Sequence, residues 1–147
     1  FISIVFGSNY FGTLAWAVDT SLPLDGACGA VAYEGGESAS EGRALTLMPR
    51  AGTIKNFRLN VPQSGATGWV VTVRKNQADT ALAVSPGNGS GIFRDTTDSV
   101  TVAVEDGVSL KATGAAGGVQ FSWTLELVAL NDSHPRMEAD GLRLCGL

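Results

Sequence analysis

Arg74, Lys75, Asn76 and Asp79 lie close together in the stretch TVRKNQADTALAV, whose other residues are mostly apolar or small. Two cations, an amide and a carboxylate in one place could bind or react with a ligand, or they could form the turn between two strands. The flanking residues favour the turn, because apolar and polar positions alternate in GWVVTVRK before it and in TALAVS after it. The pattern predicts a hairpin with Lys75 to Asp79 as its loop, where Asp79 suits turn chemistry.

Histidine and cysteine offer little for catalysis or metal binding. His134 is the only histidine and precedes Pro135 in a polar stretch, and Cys28 and Cys145 are the only cysteines. These positions lack the close ligand spacing of a zinc site, and the pattern does not indicate a Cys-His or Ser-His pair. Two cysteines do not make a disulfide framework, so we expect free thiols in a reducing cytosol, with a bridge between them as the alternative.

The carboxylates of two predicted loops do not follow the pattern of a calcium loop. Asp95 and Asp98 lie in RDTTDS, and Glu105 and Asp106 lie in VEDG. A calcium loop places its ligands at alternate positions around a central glycine. We instead expect Asp98 to begin a strand and Asp106-Gly107 to form a hairpin turn.

Three further acids, Glu34, Glu37 and Glu41, lie in a stretch rich in glycine and serine, where carboxylates are ordinarily solvated. The separation of two carboxylates in space decides whether they form a glycosidase pair, and the sequence leaves that separation open. The glycines of PGNGSG do not lead from a strand into a helix with a lysine, so they do not form a phosphate loop. The sequence therefore predicts no catalytic residue, no cofactor and no metal ligand, and an enzyme is the least favoured class.

Composition limits the partners. The 147 residues are 44% hydrophobic and 16% charged, with a formal net charge of −4 and 19 glycines. The charged fraction is low, since about a quarter of a soluble domain is usually charged. The ten Lys and Arg residues are scattered apart from the pair Arg74-Lys75, which argues against nucleic acid or an anionic membrane as a partner. No apolar run approaches the roughly 20 residues that cross a bilayer, and FISIVFGSNY lacks the basic region of a signal peptide.

Short alternating runs separated by Gly, Pro, Asn and Asp predict strands. In RALTLMP, Leu45 and Leu47 alternate against polar neighbours, and in GTIKNFRLNVP the step from Ile54 to Phe57 breaks the alternation. That break predicts a bulge near Lys55-Asn56. The clearest strand is GGVQFSWTLELVAL, which places five apolar side chains on one face: Val119, Phe121, Trp123, Leu125 and Leu127.

Seven such runs lie between residues 44 and 130, and the N-terminal region adds one or two more. Regular short strands of this kind indicate antiparallel sheets in a sandwich or barrel. An all-β, antiparallel β-sandwich of jelly-roll type, with eight strands in two sheets, fits best. We place the sandwich at residues 43–130, an N-terminal arm and irregular segment at 1–42, and a C-terminal tail at 131–147.

The N-terminal segment is apolar, so its side chains must be buried against other protein surface. It either completes the domain's own sheet as a strand or lies as an arm on a neighbouring subunit. We expect partner contacts at its large apolar residues and at the two cations of the hairpin: Phe1, Ile2, Ile4, Val5, Phe6, Tyr10, Phe11, Trp16, Arg74 and Lys75.

Four pieces of the chain together resemble a type of jelly-roll domain found in virion proteins of tailed bacteriophages. They are MPRAGTIKN (48–56), VTVRKNQADTAL (71–82), VEDGVSLKAT (104–113) and VQFSWTLEL (119–127). The second resembles a hairpin of the form T-V-R-K-N-G-x-x-T-x-L, and the third is similar to a hairpin that also occurs in C1q/TNF-like jelly rolls. The likeness covers about residues 44–128. Two positions depart from it: Gln77 replaces the usual glycine, and Asp106 precedes Gly107 instead of following it.

The resemblance implies a structural virion protein without enzymatic activity, made in the host cytoplasm and placed on the capsid surface. In that role the chain would be a decoration or cement protein that forms a homotrimer and binds the major capsid protein. The alternative is a receptor- or carbohydrate-binding tip of a tail fibre, whose partner would be a glycan of the host surface. A glycan site would need exposed aromatic rings, whereas Trp69 and Trp123 are expected to face the core.

Overall fold

The computed structural model of the chain describes residues 2–14, 20–24, 32–33, 42, 45–64, 67–114 and 117–129. Before residue 42, side chains are described only for residues 3–7 and 24. Several residues named above lie outside these ranges: Phe1, Trp16, Cys28, Glu34, Glu37, Glu41, His134 and Cys145. The tail predicted at residues 131–147 also lies outside them.

Within the described ranges the regular structure consists of strands, arranged as two packed sheets. In chain order they are β1 (Ile2–Leu14), β2 (Thr20–Pro23), β3 (Ala32–Tyr33), β4 (Thr46–Leu47), β5 (Gly52–Ser64), β6 (Trp69–Lys75), β7 (Ala78–Gly87), β8 (Gly91–Val102), β9 (Gly107–Thr113) and β10 (Gly117–Ala129). Sheet A has the order β3-β1-β10-β5-β8, and sheet B has the order β2-β9-β6-β7, with β4 also paired to β9. All these pairs are antiparallel except the short contact between β1 and β3.

The connectivity is that of a jelly roll. When the two-residue strands β3 and β4 are set aside, eight strands remain. The first, eighth, third and sixth of them lie side by side in sheet A, and the second, seventh, fourth and fifth lie side by side in sheet B. This order places two Greek keys in two sheets, as in a jelly roll. The prediction of an all-β, antiparallel sandwich is confirmed.

The core lies between the two sheets and follows the predicted alternation. On β10, every second residue from Val119 to Leu127 is buried, and on β6 the same holds for Trp69, Val71 and Val73. The rings of Trp69 in sheet B and Phe121 in sheet A lie 5.4 Å apart at a tilt of 35°, within the range of favourable aromatic contacts. The indole nitrogen of Trp69 donates a 3.1 Å hydrogen bond to Ser64 Oγ, so burial leaves it satisfied.

The N-terminal segment is a strand of sheet A. β1 pairs with β10 along its whole length, and β10 in turn pairs with β5. Of the two interpretations of the segment, residues 2–14 therefore follow the first, in which they complete the chain's own sheet. The side chain of Phe6 packs within the core of this chain and is 5% exposed. Ile4 packs against that core, whereas Val5 remains 47% exposed.

Two local predictions can be compared with the backbone directly. The bulge is confirmed: Asn56 has a φ of 56°, and the pairing of β5 with β8 shifts between Lys55 and Phe57. The hairpin loop is shorter than predicted, because Lys75 already pairs with Ala78. Only Asn76 and Gln77 form the turn, with φ values of 48° and 66°. Positive φ at both central residues is the geometry of a type I′ turn, which matches the twist of a hairpin.

Two predictions about the next strands are wrong. β8 begins at Gly91, so Asp98 lies inside the strand and does not begin it. The turn before Gly107 does not close a hairpin, because β8 belongs to sheet A and β9 to sheet B. That turn instead carries the chain across the sandwich.

Candidate functional site

Two turns and the strand β4 meet at one end of the sandwich, and we call residues 47–48, 75–79 and 103–107 the turn cluster. Asn76 holds the two turns together. Its backbone N–H donates to Gly107 O at 2.7 Å, and its Oδ1 accepts from Gly107 N at 2.9 Å. Its side-chain amide also donates to Asp106 Oδ1 at 2.8 Å. One asparagine therefore joins the β6–β7 hairpin to the crossing between the sheets.

Asp106 is the acceptor at the centre of the turn cluster. Its Oδ2 accepts from the backbone N–H of Ala103 at 2.7 Å and lies 3.2 Å from Lys75 Nζ. Lys75 also donates to the carbonyl of Thr101 at 2.9 Å. These contacts, led by the Ala103 N–H and then the Asn76 amide, lower the pKa of Asp106 from 3.8 to about 2.

A second group of charges lies on β6, β7 and β9. Arg74 donates to the carboxylate of Asp79 and to the carbonyl of Gln77. Lys111 Nζ lies 2.9 Å from both carboxylate oxygens of Asp79. The hydrogen bond from Lys111 is the largest of the causes that lower the pKa of Asp79, and Arg74 adds to it. The group therefore stays ionised at neutral pH, although Asp79 remains 54% exposed.

The strand β4 and the crossing turn each add one exposed apolar side chain to the turn cluster. Met48 is buried and exchanges backbone hydrogen bonds with the crossing turn, donating to Asp106 O at 2.9 Å and accepting from Glu105 N at 2.8 Å. The neighbours of these two residues, Leu47 and Val104, are 63% and 57% exposed. Since Met48 and Glu105 are hydrogen-bonded, Leu47 and Val104 lie on the same end of the sandwich.

The sequence did not single out these two apolar residues. The alternation of Leu45 and Leu47 suggested one buried face, but β4 spans only two residues, and Met48 supplies the buried side chain instead. Val104 continues the alternation of Val100 and Val102, although the strand has already ended. The sequence signal that the strand ends here is the acidic pair Glu105-Asp106 together with Gly107, which predicts a turn.

The structure brings part of the predicted partner-contact set to this end. Arg74 and Lys75 lie in or beside the turn cluster. The first residue of β1, Ile2, pairs with Ala129, which pairs with Gly52, which pairs with Val102 just before the crossing turn. The start of β1 therefore reaches the same end of the sandwich. Tyr10 and Phe11 lie further along β1, near β3, and the side chains of Ile2, Tyr10 and Phe11 are not described.

The charged side chains of the turn cluster suit a structural role better than a catalytic one. Two of its three carboxylates, Asp79 and Asp106, are paired with cations, and their lowered pKa values make them poor proton donors at neutral pH. In the part of the chain that the structure describes, no three His, Cys, Asp or Glu side chains come close enough to hold a metal ion. What the arrangement can do chemically is to present two apolar side chains, rimmed by fixed charges, to another surface.

Comparison with known proteins does not assign the chain to a family. No protein-family model matches the sequence, and no curated protein is significantly similar to it. Among the described residues there is no helix of the length and apolarity that a membrane crossing requires.

Proposed function

We propose that the chain is a non-enzymatic structural protein of a tailed-phage virion, which decorates the capsid and stabilises its lattice. A fold does not by itself define a function, and a decoration protein needs a surface that can bind the capsid. The turn cluster is that surface, and the exposure of Leu47 and Val104 on it is the observation that carries the proposal.

The geometry of the turn cluster suits binding to a protein. Interfaces are strongest where apolar side chains are packed at the centre and polar groups surround them. Here Leu47 lies on β4 and Val104 lies on the crossing turn, and hydrogen bonds of Asp106 and Met48 fix the backbone beside both. Little conformational freedom is then lost on association, which favours affinity.

The mechanism would be thermodynamic linkage. A protein that binds the assembled lattice and does not bind free subunits stabilises the lattice by mass action. A homotrimer would place three turn clusters on neighbouring capsid subunits, so that weak contacts act together. The start of β1 lies at the same end of the sandwich and would belong to the contact with like subunits or with the major capsid protein.

The alternative, a glycan-binding tip of a tail fibre, has less support. Trp69 and Trp123 are 0% and 3% exposed, so neither offers a ring on which a sugar could stack. Phe57 and Phe121 are buried as well.

The test uses capsids of the phage that encodes the chain, assembled without it. We expect the wild-type protein to co-sediment with these capsids, and the variant L47D/V104D to bind at least about tenfold more weakly. The variant A81E/S85E, which adds two carboxylates at exposed positions of β7, should bind like the wild type. Electron microscopy of virions gives the second measurement: density over the lattice supports the proposal, and density confined to the tail contradicts it.

A further inference from the structure

The outer face of sheet A carries two arginines that no described carboxylate neutralises. Arg58 of β5 is paired directly with Arg94 of β8, and both side chains are exposed. Like charges placed directly opposite on neighbouring strands repel each other and destabilise a sheet. Lys55 lies on the same face, opposite Glu126 of β10. Three cations therefore stand together on a chain whose formal net charge is −4.

Three other cations of the sandwich each contact a carboxylate. Arg74 and Lys111 contact Asp79, and Lys75 contacts Asp106. By contrast, among the described residues no carboxylate lies within salt-bridge distance of Arg58 or Arg94. The pair thus differs from Arg74, Lys75 and Lys111, each of which contacts a carboxylate.

Glu126 does not supply the missing partner. One of its carboxylate oxygens accepts from Ser3 Oγ, and the other accepts from Asn56 Nδ2 at 2.6 Å. These two hydrogen bonds are the main causes of its lowered pKa, and the charges of Lys55 and Arg58 act more weakly from a distance. The carboxylate is therefore already engaged, and within the described ranges the guanidinium groups of Arg58 and Arg94 have donors available for a ligand.

The surroundings of the pair indicate what kind of ligand fits. Guanidinium groups bind carboxylates through two parallel hydrogen bonds, which makes arginine the preferred partner for them. Next to the pair, Ile92 is 63% exposed and lies opposite Asn60, so an apolar contact and an amide flank the cations. Charge, apolar contact and amide together match the surface of a protein.

We propose that Arg58 and Arg94, with Ile92 beside them, form a second docking face, and that it binds a carboxylate-rich protein segment. It lies on the outer face of sheet A and is separate from the turn cluster, so it extends beyond the capsid contact proposed above. Binding would offset the repulsion between the two arginines, because each would gain the attraction of a carboxylate.

Two other polyanions fit less well. A protein that binds nucleic acid contacts many phosphates with lysine and arginine side chains. This acidic chain offers only the three cations of the face for such contacts. Acidic glycans such as heparin are bound by segments rich in Lys and Arg, whereas this face carries three cations.

The test measures binding of the whole chain to a fluorescein-labelled oligoglutamate peptide by fluorescence anisotropy at low salt. We expect the variant R58Q/R94Q to bind at least about tenfold more weakly than the wild type, since two charge-assisted contacts are lost. The matched control A81E/S85E changes the net charge equally but lies on sheet B, and it should keep the wild-type affinity. R58K/R94K should fall between the two, because lysine keeps the charge and loses the bidentate geometry.

Circular dichroism of each variant confirms that it is folded. The proposal is overturned if the wild type does not bind the peptide, or if R58Q/R94Q binds it as well as the wild type does. It is also overturned if a labelled heparin fragment or a single-stranded oligonucleotide binds the face more tightly than the peptide. Since L47D/V104D leaves this face intact, that variant should bind the peptide normally, which keeps the test independent of the capsid experiment.

Discussion

The side-chain amide of Asn76, in the β6–β7 turn, donates a 2.8 Å hydrogen bond to the carboxylate of Asp106, in the crossing between β8 and β9. The two residues are thirty positions apart in the chain. Asn76 also accepts from Gly107 N through its side chain. The pair fixes a hairpin of sheet B against the segment that carries the chain from sheet A to sheet B, and so sets the shape of the turn cluster.

Replacing Asn76 by alanine should destabilise the protein by about 2–3 kcal/mol. Two side-chain hydrogen bonds are lost, each worth about 1 kcal/mol, and alanine tolerates the positive φ of this position less well than asparagine. Urea unfolding followed by circular dichroism measures the change. Asn88→Ala is the control, because Asn88 is an exposed turn residue with one long hydrogen bond of 3.3 Å, and we expect it to cost less than about 0.5 kcal/mol. Equal losses for the two variants would argue against the role given to Asn76.

Replacing Gln77 by glycine should stabilise the protein by about 1 kcal/mol. Gln77 has a φ of 66°, and a residue with a Cβ pays about 1–2 kcal/mol to stand there, whereas glycine does not. The hydrogen bond from Arg74 is made to the backbone carbonyl of Gln77, so it survives the change. Gln63→Gly, on the exposed face of β5, should instead lower the stability. A stability for Gln77→Gly at or below that of the wild type, in the same urea measurement, would show that the turn is not strained.

The alternation of side chains predicted much of the fold because it depends only on neighbouring residues. The faces of β6 and β10 and the bulge at Asn56 follow from it directly. The crossing at Asp106-Gly107 did not, because two strands joined by a short turn look the same in sequence whether they pair or lie in opposite sheets. Sheet membership depends on contacts between distant segments.

The two docking surfaces also depend on contacts between distant segments, which the sequence does not report. The pairing of Arg58 with Arg94 depends on the register of β5 and β8, and that register shifts at the bulge between Lys55 and Phe57. No pattern in the sequence reports how far it shifts. The charges of Arg74 and Asp79 were recognised as part of a turn, but the third partner, Lys111, comes from β9, which is distant in the chain and next to β6 only in the fold.

Acid should destabilise the protein mostly between about pH 4 and pH 2. The pKa of Asp106 is about 2 in the folded chain, below the usual 3.8, so its ionised form stabilises the fold above pH 4. That contribution is lost as the pH falls through about 2. The pKa values of Asp79, Asp95 and Glu126 are lowered too, and they act in the same direction. Thermal unfolding measured across this range should show a falling midpoint, and Asp106→Asn should flatten the decline. If the midpoint of Asp106→Asn falls with pH as steeply as that of the wild type, Asp106 does not contribute to the acid sensitivity.

Replacing Gly114 by alanine should prevent folding or cost more than about 4 kcal/mol. A Cβ at this position would lie 2.4 Å from Trp69 Cα and 2.6 Å from Trp69 Cβ, and the φ of 152° also disfavours a side chain. Gly68→Ala is the matched control, since Gly68 has a φ of 64° but no atom within 4 Å of the added Cβ. It should cost only the strain of about 1–2 kcal/mol. Similar soluble yield and similar unfolding midpoints for the two variants would contradict the close approach at Trp69.

Asp95 joins the two sheets at the edge of the sandwich where β7 and β8 meet. Its Oδ2 accepts from the backbone N–H of Ala83 in sheet B at 3.2 Å. Its Oδ1 accepts from the backbone N–H groups of Thr97 and Asp98 at 3.1 and 3.0 Å, and from Thr97 Oγ1 at 3.2 Å. Burial is the largest single influence on the pKa of Asp95 and raises it, but the hydrogen bonds together lower it.

Asp95→Ala should therefore destabilise the protein by about 2–4 kcal/mol, because part-buried backbone donors on both sheets lose their acceptor. Asp95→Asn should cost less, since its amide oxygen can still accept on one side. Asp98→Ala, at an exposed neighbour in the same strand, should change the stability by less than about 0.5 kcal/mol. Hydrogen exchange gives the local readout: the amide of Ala83 should exchange faster in Asp95→Ala under native conditions than in Asp98→Ala. If both variants protect that amide equally, the edge is held by packing between β7 and β8 and the carboxylate does not close it.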